Sequence, residues 1–246
     1  MACRRVARAL VVTAASRVGL GAQAAHSQAR CFGSFHASEE KLELVRRSKP
    51  WPPWLRQEMR SNWAGKTGAV WIYRGCLAAV HRIACPKQRG ELEAFATEHM
   101  AAEEAHLAAM TTLVTESSER SWMPAATFGW FLGFASTAAR GARGMYVTTH
   151  AVENFVEEHY GYQISRLNSE LGAGERSPQE AYSELVSVLG AACADEVDHK
   201  EDAARRAAAL AGNASDAAPA LSTADSLHFS FVYWGSKVGA ALAKRF

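Results

Sequence analysis

The chain has no closely spaced cysteine pair. Its five cysteines, Cys3, Cys31, Cys76, Cys85 and Cys193, contain no Cys-x-x-Cys spacing. Neither a cysteine zinc site nor a disulfide framework is indicated, and reduced, buried thiols are expected. A phosphate loop is also missing. The letters Gly65-Lys66-Thr67 invite that reading, but Arg60 stands where the loop's first glycine belongs, and no apolar strand precedes it. Strand-like alternation is scarce, whereas 48% of the residues are apolar, which points to an all-α fold. Acidic residues are absent before Glu39, while Arg4, Arg5, Arg8, Arg17 and Arg30 all fall in that stretch. Residues 1–38 therefore read as a mitochondrial transit peptide, with Arg30-Cys-Phe-Gly-Ser34 as the processing site. Without those five arginines the formal charge of +2 becomes about −3, which gives no electrostatic case for nucleic acid.

Residues 39–54, including Lys49-Pro-Trp-Pro-Pro-Trp54, read as an extended lead-in, and residues 55–246 as one domain of five or six helices. Breaks are expected at Cys85–Gly90, Glu116–Arg120, Gly172–Pro178 and Gly212–Pro219. The segment from Ser121 to Ala139 carries no charge and is rich in glycine and aromatics. A helix over 125–139 would be roughly 22 Å long, short of the ~30 Å hydrocarbon core of a bilayer. It reads either as an ordinary buried helix or as an interfacial one anchored by Trp122, Phe128, Trp130, Phe131 and Phe134.

Ionisable residues interrupt four apolar stripes spaced by three and four. The first runs Met59, Trp63, Lys66, Val70, Tyr73; the second Phe95, His99, Glu103, His106, Met110. The third runs Thr149, Glu153, Val156, Tyr160, and the fourth Ala192, Glu196, His199, Ala203. A buried carboxylate costs several kcal/mol unless its charge is compensated. Each Glu-x-x-His pair places both side chains on one helix face, one turn apart, where they can converge on a metal ion. Two such pairs plus Glu153 form five of the six ligands of a ferritin-like di-iron carboxylate bundle. Carboxylate and imidazole donors suit iron and oxygen chemistry. The sixth position holds Lys66.

With Ala64-Gly-Lys-Thr-Gly-Ala69, Glu103-x-x-His106-Leu107, Ala151-Val-Glu153, Glu158-His159-Tyr160 and Asp195-Glu196-x-x-His199 in this order, the chain resembles the mitochondrial demethoxyubiquinone hydroxylase family. The likeness covers about residues 55–246. It implies a ferritin-like four-helix bundle with an additional interfacial hydrophobic helix and a C-terminal helix. It also implies two iron ions and O₂-dependent hydroxylation of a polyprenyl quinone precursor on the matrix face of the mitochondrial inner membrane. His159 and Tyr160 would lie near the metals as a proton or electron relay, and the aromatic segment would form the quinone entrance. A lipid-binding companion protein or a ubiquinone-synthesis assembly would be the partner.

The resemblance breaks at Lys66, where the family motif has a ligating Glu. A protonated lysine has three donors and no lone pair for a metal. Three functions stay open: a hydroxylase with an altered centre holding two irons, a metal-poor accessory subunit of a respiratory-chain complex, and a quinone- or lipid-binding protein holding one metal or none.

Overall fold

The computed structural model describes residues 35, 37–83, 85–121, 123–171, 176–211 and 221–245, without the side chains of 176–178. Its helices are α1 (Glu39–Arg47), α2 (Pro53–Val80), α3 (Pro86–Leu113), α4 (Ala125–Leu171), α5 (Arg176–Ala209) and α6 (Thr223–Arg245). A 3-10 turn, Ser117–Glu119, follows α3. Both α2 and α3 begin with proline in the first turn, where its missing N–H costs nothing. The break expected at Cys85–Gly90 therefore falls earlier, before Pro86.

Residues 39–47 are helical, which corrects the expectation of an extended lead-in across 39–54. Ser38 accepts a hydrogen bond from the Lys41 N–H, Glu39 and Glu40 occupy the first turn, and Leu42 and Val45 are buried. The cap and this short apolar face are enough once a bundle is present to receive them. Cys76 and Cys85 are free thiols, Cys76 buried as expected and Cys85 exposed. The proposed processing site and the 212–219 loop lie outside the described residues.

Four helical segments make the bundle: α2, α3, α5 and residues 142–171 of α4. A long crossover joins α3 to α4, as in ferritin-like folds. Two apolar clusters fill the bundle's ends. One gathers Leu55, Met59, Met110, Leu113, Leu167, Leu185 and Leu189. The other gathers Tyr73, Cys76, Phe95, Met145, Tyr146 and Ala203. The ionisable residues of the four stripes lie between them, so the polar layer is closed to water from both ends.

The crossover carries the aromatic segment as an arm, residues 125–140 of α4, which breaks from the rest at Gly141 (φ 58°). The arm buries Gly129, Gly133, Ser136 and Thr137 against α2. A Cβ on Gly133 would lie 1.9 Å from the Ile72 carbonyl oxygen, and one on Gly75 would lie 2.1 Å from that of Trp130. The two backbones thus touch directly, and only glycine permits it. On the far side of the arm, Phe128 and Phe131 are 62% and 60% exposed.

Across the break, Asp225 of α6 accepts hydrogen bonds from Arg140 (2.6 Å) and from Arg143 Nε (2.8 Å). One carboxylate ties both sides of the bend to the C-terminal helix.

Candidate metal centre

Four helices aim their polar residues into the middle of the bundle. α3 runs antiparallel to α5, and two histidines seven residues apart meet two aspartates seven apart. His106 Nε2 lies 3.2 Å from Asp195 Oδ2, and His99 Nε2 lies 3.6 Å from Asp202 Oδ2. Carboxylates of this kind fix a histidine's ring orientation and tautomer. His99 and Asp202 are absent from the ligand pattern read in the sequence, although the matched spacing of seven was a usable signal.

Between these pairs, Lys66, Glu103, His106, Glu153, Glu196 and His199 are each at most 3% exposed. The Glu196 carboxylate divides its two oxygens, whereas Glu103 meets Lys66 with both, at 3.0 and 3.4 Å. Glu103 Oε2 is 3.0 Å from Lys66 Nζ and 3.9 Å from His106 Nδ1. Glu196 Oε1 accepts a hydrogen bond from Lys66 and lies 3.1 Å from His106 Nδ1. On the other side, Glu103 Oε1 and Glu196 Oε2 face His199 Nδ1 at 3.9 and 3.7 Å. The centre therefore has two halves, one holding Lys66 and His106, the other Glu153 and His199.

Burial opposes charge on the Lys66 ammonium, but Glu103 and Glu196 outweigh it and raise its pKa well above the ordinary value. Burial likewise disfavours a charged His106, yet Asp195, Glu103 and Glu196 raise its pKa well above normal. For Glu196 the burial penalty is overcome by Lys66 and His106, which hold the carboxyl well below its usual range. Glu153 behaves oppositely. Burial and then the neighbouring Glu196 and Glu103 push its pKa well up. Without a metal, Lys66 and His106 are thus the cations that face Glu103 and Glu196.

The donor set fits one metal ion. Glu103, Glu153, Glu196 and His199 each offer a ligand atom, and these atoms lie within 4.8 Å of one another. Glu153 Oε2 and Glu196 Oε2 are buried with no hydrogen-bond donor, as oxygens awaiting a cation are. It does not fit a second ion. In the other half Glu103 and Glu196 are already paired with an ammonium, which has no lone pair to share with a metal.

The two relay candidates separate. Tyr160 faces the centre, its ring 5.6 Å from Lys66 Nζ, and its buried hydroxyl has no hydrogen-bond partner. His159 points elsewhere. It accepts a hydrogen bond from Gln163 Nε2 at 2.9 Å and lies 3.4 Å from Glu58. Burial, aided by Lys244 and Lys66, lowers its pKa to about 3. That network, which also pairs Asn62 with Gln163 and Lys244 with Glu58, is separate from the centre. Neighbours in a helix point about 100° apart, so only one of the pair can face the metal ligands.

A seam between α2 and α4 ends on Glu153. Ala69, Ile72, Tyr73, Thr149 and Val152 line it, and it is too narrow for a water molecule. On the outer side of α2, a cleft of about 280 Å³ is lined by Trp71, Ala126, Thr127, Trp130 and Phe131. Of the five expected anchors, Phe128 and Phe131 are exposed. Trp130 and Phe134 stack on one another at 4.9 Å, and the Arg82 guanidinium covers Phe134. Trp122 lies outside the described residues. A second apolar face escaped the sequence reading. Leu227, Phe231, Trp234, Val238 and Leu242 of α6 are all exposed, at spacings of three and four that place them on one side of the helix.

Residues 53–223 match the family described as ubiquinone biosynthesis protein COQ7. The chain belongs to that family. The match covers all four bundle segments and the crossover arm, and the family is a di-iron one associated with mitochondrial ubiquinone synthesis. The ferritin-like fold read from the stripes agrees with the COQ7 family architecture. No curated protein matches the chain. Among the described residues no helix is long and apolar enough to cross a membrane.

Proposed function

We propose that the chain acts in mitochondrial ubiquinone biosynthesis as an O₂-dependent hydroxylase of a demethoxyubiquinone-class ring, working at the matrix face of the inner membrane with an altered metal centre. The observation that carries this reading is the convergence of Glu103, Glu153, Glu196 and His199 within 4.8 Å, in the interior of a bundle of the COQ7 family. Bound iron would supply oxygen activation. The protein's own contributions are separate. Glu153 presents its carboxyl to the apolar seam, and Ala69, Ile72 and Val152 keep water from it. Asp195 holds the His106 ring, and Tyr160 is the one relay candidate facing the ligands. A ring entering the seam must part α2 from α4 at Ile72 and Val152, both at the edge of the core.

The membrane surface is the occupant proposed for the outward Phe128 and Phe131 and for the apolar face of α6. Insertion of such a face to the depth of the headgroups needs no spanning helix. A polyprenyl tail would remain in the lipid while the ring reaches the seam. A lipid-binding companion protein or a ubiquinone-synthesis assembly is the partner that such a substrate calls for, since its tail keeps it out of water.

The test is expression of the full chain in mitochondria of cells lacking the hydroxylase, with quinones followed by mass spectrometry. Restored ubiquinone is expected. Accumulation of the demethoxy precursor despite correctly folded, membrane-bound protein would overturn the enzymatic reading. Lys66 favours a second reading, a metal-poor accessory protein of a mitochondrial membrane complex, because its ammonium already pairs Glu103 and Glu196. Stable co-purification with a respiratory complex, without quinone turnover, is the outcome that reading requires.

A further inference from the structure

We infer that the centre is built for a single divalent metal ion, held by Glu103, Glu153, Glu196 and His199, with the Lys66 ammonium standing where a second ion would be. The inference deepens the reading of the centre as a metal site and does not depend on hydroxylation.

The geometry gives the first argument. Glu196 turns Oε1 toward Lys66 and His106 and Oε2 toward His199, and Glu103 spans the same gap, Oε2 near Lys66 and His106 and Oε1 near His199, with Lys66 Nζ also reaching Oε1 at 3.4 Å, as carboxylates shared between two cations do. One of those cations is already covalently present as Lys66 Nζ, 3.0 Å from Glu103. The other half retains its Glu and His, together with donor-free oxygens on Glu153 and Glu196. Glu153 is 2% exposed, so no solvent answers that oxygen.

Charge gives the second. Four carboxylates and two divalent ions would be neutral. Here the three carboxylates and the Lys66 ammonium carry two formal negative charges, which one divalent ion cancels, while any charge on His106 is matched by Asp195 at 3.2 Å. A second ion would leave two uncompensated positive charges in a site sealed by apolar clusters, and unpaired buried charge is strongly unfavourable. Replacing a ligand by lysine therefore changes the count by one ion, because it removes a negative donor and adds a positive occupant together. His106 keeps its place through Asp195 at 3.2 Å and acts as a partner of Glu196, without a metal of its own.

The test is anaerobic titration of the metal-free full chain with Fe(II), and separately with Mn(II), read by elemental analysis and electron paramagnetic resonance. One ion per chain is expected, with an uncoupled Mn(II) spectrum. Lys66→Glu should take up two ions and give the spectrum of a coupled pair. Glu153→Gln and His199→Gln should weaken binding at least tenfold, whereas His106→Gln should leave the stoichiometry at one. Two ions in the wild type, or none, overturns the inference. So does equal loss of metal in the His106 and His199 variants, a comparison that remains available if Lys66→Glu does not fold. These readouts are independent of the hydroxylase assay: one bound ion with no ubiquinone made would sink the enzymatic reading alone.

Discussion

In the middle of the bundle, six ionisable side chains are buried where aliphatic ones usually pack. Along the α4 arm, phenyl rings face outward where charges usually stand. The two regions depart from ordinary side-chain partition in opposite directions, and they are held by different means. The centre relies on pairing: each buried charge has a named opposite within about 4 Å, and the loss of one partner strands the other. The arm relies on backbone proximity. Glycines bring it against α2, so it needs no large side chains inward and can spend its aromatic ones outward. Pairing makes the centre's chemistry depend on single residues, whereas the arm's position depends on a strip of small ones.

The largest effect should come from breaking the pairing. Lys66→Ala leaves Glu103 and Glu196 without their shared cation and should destabilise the metal-free protein by about 3–5 kcal/mol. That is a fall of roughly 6 °C or more in Tm, seen by calorimetry in chelator-treated buffer. An unchanged Tm would show that protons alone can neutralise the centre.

Next is the outward face of the arm. Phe128→Glu combined with Phe131→Glu should reduce binding to vesicles of inner-membrane lipids at least tenfold, since full burial of one phenyl ring contributes about 1.5–3 kcal/mol. Co-sedimentation measures it, with unchanged helicity as the control. Undiminished binding would move the membrane contact to α6.

The glycine strip should be felt as overpacking. Gly133→Leu forces a side chain against the Ile72 carbonyl and should cost about 1–3 kcal/mol, measured by urea unfolding, with the loss of the cleft beside Trp130 as its structural sign.

The smallest effect concerns the tie between the regions. Arg143 holds the Asp225 carboxyl well below its usual range against the pull of burial, helped by Ser222 and Arg140. A depressed folded-state pKa means that the contribution is complete above the unfolded value, about 3.9, and is lost progressively as pH falls from there through the folded value. Wild type should exceed Asp225→Asn in stability by a constant amount of order 1 kcal/mol from pH 5 to 8, and the gap should begin to narrow below about pH 4. A gap that widens in acid would reverse the assignment.

Much of this was legible in the residues. The stripe interruptions at Lys66, Glu103, His106, Glu153, Glu196 and His199 mark inward positions because helical period alone decides which face a residue shares with Val70, Met110 or Leu189. Period says less about which side of a helix faces the protein when both sides are apolar. That is why the α6 face through Phe231 and Trp234 went unread. It says nothing of how far a flexible side chain reaches, so the placement of Lys66 Nζ between two carboxylates required coordinates. α1 was missed because nine residues are too few to be helical on their own. The separation of His159 from Tyr160 follows from the same helical period that located the ligands, but a resemblance treats neighbouring residues as one motif.

The break at Gly141 sets the size of the whole molecule. Forty-seven residues in one unbroken helix would form a rod about 70 Å long, with its first sixteen residues projecting beyond the bundle. A single residue that can adopt φ 58° folds that rod like a carpenter's rule, and Asp225 latches the joint from both sides. The outward rings and Glu153 are thus two ends of one continuous piece of chain, so a force applied at Phe131 has an unbroken covalent route through the Gly141 joint to Glu153.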